Sequence, residues 1–398
     1  MSLPTPAAGR PWWVLPAIVF AQFAGTALWF AGNAVLPDML REKRFAGLDP
    51  GSVVSAVQLG FILGTLGFAL LRLADRVAAV RLFLLCAVLG STANAGLLPG
   101  LAPAAVLALR CATGLCLAGI YPVGMKIAAD YYEQGLGRAL SYLVGALVLG
   151  TALPHLLRWL SVGASWQAVV LATSVLALAG AVLLWVLVAD GPYRRPGAGL
   201  QPGVLWQVFR ARAFRQAALG YFGHMWELYT FWAFVPLLLA THSALHPGAG
   251  SFGPGWSFAI IAAGGPACVA GGYLAQRWGS LRTARLALAI SAAACLLSPG
   301  LLLLPGPAFA AALLLWGMAV VADSPQFSAL VAQRAPAAAK GTALTLVTCL
   351  GFALTIVSLQ CFAVLQAWVE PRYLFLLLAP GPLLGLWLTR EQKVAALE

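Results

Sequence analysis

Leu73-Ala74-Asp75-Arg76, followed by Arg81, separates two apolar runs, and Leu274-Ala275-Gln276-Arg277, followed by Arg282, does the same 201 residues later. That offset is about half of the 398-residue chain. Two more echoes keep nearly the same spacing. Gly137-Arg138-Ala139-Leu140 returns as Gly341-Thr342-Ala343-Leu344, and Trp29-Phe30-Ala31 before Pro37 returns as Phe231-Trp232-Ala233 before Pro236. The chain therefore reads as one unit built twice. Around these markers lie twelve apolar runs, at about 12–36, 51–73, 82–98, 104–129, 139–159, 166–189, 214–240, 255–275, 285–304, 307–330, 341–366 and 371–389. A helix rising ~1.5 Å per residue crosses the hydrocarbon core in about 20 residues. Lipid offers the backbone no partners, so such runs must be helical.

Composition agrees. Hydrophobic residues make up 61% of the chain and charged ones 9%, against roughly a quarter charged in soluble domains. That excludes a soluble enzyme, a disordered chain and a nucleic-acid binder, despite a net charge of +12. The expected fold class is an all-α membrane protein with twelve transmembrane helices in two pseudo-twofold-related six-helix bundles. Residues 1–189 form the first bundle, 190–213 a Pro-, Gly- and Arg-rich linker, and 214–398 the second. Six spans per half give both halves the same orientation, a transporter architecture. With the N-terminus inside, the inner segments carry 17 basic residues and the outer ones 5. The positive-inside rule then places both termini in the cytoplasm. The short N-terminal segment favours a bacterial-type inner membrane. The seven cysteines lie in apolar runs without CxxC spacing, so no metal site or disulfide framework is expected.

The loop motif resembles the major facilitator superfamily. Its signature, Gly-x-x-x-Asp-Arg-x-Gly-Arg-Arg, meets Leu71 through Arg81 here, with Asp75 and Arg76 matching and Leu71 and Ala78 in place of its glycines. The second copy keeps Gly272, Arg277 and Gly279 and has Gln276 for the acid. Arg110 followed by Gly114 and Gly119 resembles the family's fourth helix. The resemblance implies that Asp75, Arg76 and Arg81 hold the cytoplasmic face shut in the outward-open state, that Arg110 handles substrate or protons, and that the protein is a monomer. The stretch Gly145 to Pro154 lacks the drug-antiporter pattern. In size and in its helix 4–5 region the chain loosely resembles nitrate/nitrite and cyanate-type branches.

Ionisable groups inside spans are costly, roughly 2.5–3.5 kcal/mol each on insertion scales, and so mark candidate sites. Span 7 reads Gly220-Tyr221-Phe222-Gly223-His224-Met225-Trp226-Glu227-Leu228-Tyr229. His224 and Glu227 fall near mid-membrane at i,i+3 spacing, on one face. They are either a proton-coupling pair or a structural hydrogen bond. Tyr221, Trp226 and Tyr229 are candidate substrate contacts, with Gln22 at the matching depth of span 1 and Arg110 in span 4. Arg110 reads equally as a cation on helix-end carbonyls. Lys126 and Asp130 form either an i,i+4 ion pair or part of a gate. Adding the repeat offset to Lys126 leads to Asp323 and Gln326, and a Lys126–Asp323 pair across the axis would close the cytoplasmic side. Pro325 would break the helix there.

No P-loop accompanies the glycines, so ATP drive is not expected, nor is any cofactor. The expected function is secondary active transport of a small solute by alternating access, coupled to protons, with a small organic anion favoured. The alternatives are export of amphipathic or aromatic compounds and transport of an inorganic anion. Expected partners are the solute, protons and the lipid bilayer. An enzyme is not expected, because no dense catalytic cluster is present.

Overall fold

The structure is a computed structural model that describes residues 11–132, 136–161, 165–194, 208–248, 250–336 and 340–390. Its long helices follow the twelve apolar runs in order: α1 (Val14–Met39), α2 (Pro50–Leu71), α3 (Ala79–Ala95), α4 (Pro103–Tyr131), α5 (Leu136–Leu160), α6 (Trp166–Leu187), α7 (Arg212–Leu245), α8 (Pro254–Trp278), α9 (Ser280–Leu301), α10 (Gly306–Arg334), α11 (Lys340–Leu365) and α12 (Pro371–Leu388). Eleven are long and apolar enough to span a membrane, and α3, at 17 residues, fills the remaining place. Most of the 190–213 linker lies outside the described residues.

Several helices are broken, and the breaks have local causes. α1 opens between Thr26 and Ala31, α4 between Leu117 and Tyr121, α8 at Ala263 and α10 at Asp323. Proline lacks the N–H that would bond the carbonyl four residues earlier. Pro325 therefore frees the Val321 carbonyl, which instead receives the Cys268 thiol at 3.4 Å. The break expected at Pro325 is thus present, two residues upstream.

Within the first half α1 packs on α5 and α6, α2 on α4, and α3 on α4 and α6. In the second half α7 packs on α11 and α12, α8 on α10, and α9 on α10 and α12. The halves meet along α2–α11 and α5–α8. Small residues let the backbones approach. A Cβ on Gly60 would overlap the Cys111 carbonyl, one on Gly64 the Leu115 carbonyl, and one on Gly114 the Val57 carbonyl. Gly60→Ala is expected to cost about 1–3 kcal/mol by overpacking, read as a lower thermal unfolding midpoint in detergent.

At the end of the bundle away from the termini, Arg158 grips Asp38 with two bonds, at 2.6 and 3.0 Å. Beside it the Trp166 indole donates to Glu42 at 2.8 Å, holding that carboxyl below the usual carboxylate range. A lowered pKa means the contact stabilises the fold above the ordinary carboxylate pKa and is lost as pH falls through the lowered value. Acid titration of wild-type thermal stability should therefore lose a small increment that Glu42→Gln does not show.

Candidate functional site

At about 100° per residue, α7 presents three faces, and each has its own neighbours. Tyr221, Met225, Tyr229 and Trp232 turn toward α11 and the seam between the halves. Gly223 and Trp226 turn toward α12. His224 and Glu227 turn toward α9 and α10.

The third face carries the titratable groups. Glu227 Oε1 accepts from Ser291 Oγ at 2.6 Å, Trp316 Nε1 at 2.7 Å and Cys295 Sγ at 3.2 Å. His224 Nδ1 lies 2.7 Å from Asp323 Oδ1, at the break in α10. That is ion-pair distance, although neither atom meets the geometry of a hydrogen bond. All three side chains are buried. The carboxylate of His224 is thus Asp323, and Glu227 serves as a hub for α9 and α10. Glu227→Gln keeps an acceptor and should leave stability nearly unchanged. Glu227→Leu strands the Ser291 and Trp316 donors at roughly 1–3 kcal/mol each, measured as the difference in unfolding midpoints.

The first face enters an aromatic plug between the halves. Trp29 stacks on Tyr229 at 5.6 Å and on Phe352 at 5.8 Å, with Phe61 5.0 Å away. Phe61 and Phe352 meet at 4.5 Å, and Trp232 meets Tyr229 at 5.4 Å and Phe30 at 6.2 Å. α1 and α2 supply three of the six rings, and α7 and α11 of the second half supply the other three. Tyr221 packs against Gly351 of α11, and its ring lies 6.1 Å from His224. Trp226, grouped with these residues from the sequence, belongs elsewhere. It donates to the Leu377 carbonyl of α12 at 2.9 Å, because it lies about 60° around the helix from Tyr229. Gln22 is buried beside Gly124 of α4, with both amide atoms unpartnered.

Arg110 is fully buried in the first half. It donates to Asn94 Oδ1 at 2.8 Å and to the carbonyls of Leu28 and Trp29 at 2.8 and 2.5 Å. Those carbonyls are free because α1 is open there, and a cation at a helix C-terminus is favoured by the dipole. Asn94 in turn donates to Val170 O, Thr173 Oγ1 and Ser174 Oγ of α6. Arg110 thus ties α1, α3 and α6 together, and only its Nε is unpartnered. Of the two readings of Arg110 from the sequence, this is the helix-end one. Sequence reasoning passes over Asn94, although an amide in an apolar span is a visible signal.

At the end carrying the termini, Lys126 Nζ lies 3.6 Å from Asp75, and Arg72 lies 3.9 Å from the same carboxylate. Asp323 faces His224 in its own half, so the expected Lys126–Asp323 pair across the axis is replaced by two pairs, one in each half. Matching positions in a repeat occupy matching places within each half, and that alone does not bring them into contact. Arg194 donates to the carbonyls of Asp75 and Val77, and Tyr193 N–H to that of Asp130. Asp130 is buried at the end of α4 where the linker begins. Gln326 is buried in the second segment of α10. Arg76 and Arg81 are exposed, and no side-chain bond joins either to another described residue. Of the loop trio, Asp75 makes ion pairs within its own half, with Lys126 and Arg72, while Arg76 and Arg81 stay in water, since an exposed guanidinium gains little by leaving it. Tyr142 and Tyr273 hydroxyls meet at 3.0 Å across α5–α8.

A family model described as Major Facilitator Superfamily matches residues 7–359. No curated protein matches the chain. The crystal structure of the human organic anion transporter MFSD10 (TETRAN) aligns with a TM-score of 0.72 at 17% identity, covering 96% of this chain and 100% of that one. That of a point mutant of the nucleoside transporter NupG aligns at 0.70 and 14% identity, covering 94% and 98%. At these identities the likeness is one of fold.

Proposed function

We propose, from the premise that this chain belongs to the major facilitator superfamily, that it is a proton-coupled secondary transporter working by alternating access. The halves part and close around the seam that the aromatic plug now fills. The observation that carries proton coupling is the buried contact between His224 and Asp323 at the α10 break. A proton gained by Asp323 or lost by the imidazole removes the attraction between them. In low dielectric that change is large enough to bias which packing of α7 on α10 is favoured. Glu227, buried among three donors, supports the same face and is the second candidate carrier.

The substrate reading shifts with the geometry. An organic anion would call on the two cations within the spans, Arg110 and Lys126. Both are engaged, one by carbonyls and Asn94 and the other by Asp75. The aromatic seam supports the alternative of an amphipathic or aromatic solute. The loop charges support a placement of both termini in the cytoplasm.

The test is proton flux in liposomes containing a pH dye. Addition of pooled aromatic solutes, then of organic anions, should produce a pH change that requires the protein. Tracer exchange with no pH change for any pool overturns proton coupling, and absence of both overturns transport of these solutes.

A further inference from the structure

The aromatic plug holds polar atoms as well as rings. The indole Nε1 of Trp29 and that of Trp232 are buried without a hydrogen-bond partner. So are both amide atoms of Gln58, which sits one turn before Phe61 on α2. All three side chains are 0% exposed. Trp29 stacks on Tyr229, and Trp232 meets that same ring nearly edge-on, with planes at 77°. Two of the unpartnered donors thus belong to rings of one aromatic stack, and the third to the helix that supplies Phe61 to it, at the seam where α1 and α2 meet α7 and α11. Buried polar groups are normally satisfied, and each exception calls for an explanation. Three of the exceptions lie on the helix segments that meet at the seam, where the two halves must part.

The plug rings and their flanking donors carry no formal charge. The adjacent cation, Arg110, commits its two terminal nitrogens to Asn94 and to the carbonyls of Leu28 and Trp29. Its field nonetheless favours an electron-rich ligand edge. An aromatic carboxylate would lose its hydration here and meet no terminal guanidinium nitrogen to replace it. An aromatic cation would meet two indole donors and the charge of Arg110. A flat ring with acceptors and no charge meets neither penalty, and it can stack as the plug rings do now.

We infer that the transported substrate is an uncharged, planar heteroaromatic compound. Its ring takes a place beside Tyr229 between Trp29 and Trp232 when the halves part, and its acceptors receive the two indole N–H groups and the Gln58 amide. This rests on the transporter reading above and narrows its substrate.

The test is ligand binding to the full-length protein in detergent, read as a concentration-dependent rise in thermal unfolding midpoint. The probes are caffeine, adenosine and 4-quinolone as neutral rings, benzoate as an aromatic anion and tetraphenylphosphonium as an aromatic cation. At least one neutral ring should bind saturably, and Trp29→Phe and Gln58→Leu should each weaken it about tenfold, the scale of one lost hydrogen bond. Should Trp29→Phe fail to give monodisperse protein, Trp232→Phe takes its place. The inference is overturned if only benzoate or only tetraphenylphosphonium binds, if none of the five binds, or if the neutral ring binds both variants as it binds wild type. Binding in detergent needs no gradient. Proton coupling can therefore fail while this site stands, and this site can fail while proton flux with another solute stands.

Discussion

Replacing Asp323 with Asn should abolish solute accumulation driven by a pH gradient, by tenfold or more, while leaving solute exchange across the membrane in place. Asp323 sits at the break of α10, with its Oδ1 2.7 Å from His224 Nδ1 and both side chains buried. Asn fills the same volume and still presents a carbonyl oxygen to the imidazole. It carries no charge and cannot gain or lose a proton, so the ion pair whose strength changes during the cycle is gone. A ligand or proton shifts a two-state equilibrium only by its differential affinity for the two states, and the variant has none at this position. His224→Gln should act in the same direction. The measurement is tracer uptake into liposomes with and without an imposed pH gradient, beside counterflow at uniform pH. If accumulation in Asp323→Asn matches wild type, and is lost instead in Glu227→Gln, the carrier is Glu227 and the His224–Asp323 contact is structural.

The second large effect concerns stability. Arg110→Met should destabilise the protein by roughly 3–5 kcal/mol, the usual scale for stripping one partner from a buried charged network. The variant leaves Asn94 Oδ1 and the carbonyls of Leu28 and Trp29 without their donors. It also removes both side-chain bonds that the structure gives between α4 and the open segment of α1 among the described residues. Arg110→Lys should lie between, since one ammonium cannot reproduce the planar fork that reaches three acceptors. A double-mutant cycle with Asn94→Leu should show coupling of about 1–3 kcal/mol. The measurement is denaturant or thermal unfolding in a fixed detergent. A variant with normal stability and a raised KM would return Arg110 to the substrate site.

The two hubs share a logic. In each half a buried charged group, Arg110 in one and Glu227 in the other, ties the first helix of that half to the third and fourth or their neighbours. Arg110 uses the free carbonyls of an opened α1. Glu227 uses donors from α9 and α10 against an unbroken α7. A charge held by several hydrogen bonds fixes the register of a bundle that lipid alone does not specify, because lipid tails are as apolar as the helix faces they would replace. The surfaces between the halves are different in kind, built from stacked rings and, along α5–α8, from close contacts such as Gly145 on the Gly265 carbonyl, which can part without stranding a charge.

Which features were legible in the sequence follows from the range of the forces involved. Twelve helices, two similar halves and the membrane as solvent are visible in 61% hydrophobic composition and a repeat of about 200 residues, because the bilayer acts on every residue alike and the backbone answers locally. Pro325 as a break is likewise a local consequence of one side chain. His224, Glu227 and Asp323 stand out because a titratable group in an apolar span is costly wherever it points. Partnership is a different matter. Whether His224 meets Glu227 or Asp323, whether Lys126 reaches Asp75 or Asp323, and whether Arg110 serves a ligand or the α1 carbonyls depends on differences of one or two ångströms between helices far apart in the chain. Those distances are set by how the helices pack, and only the tertiary structure decided them.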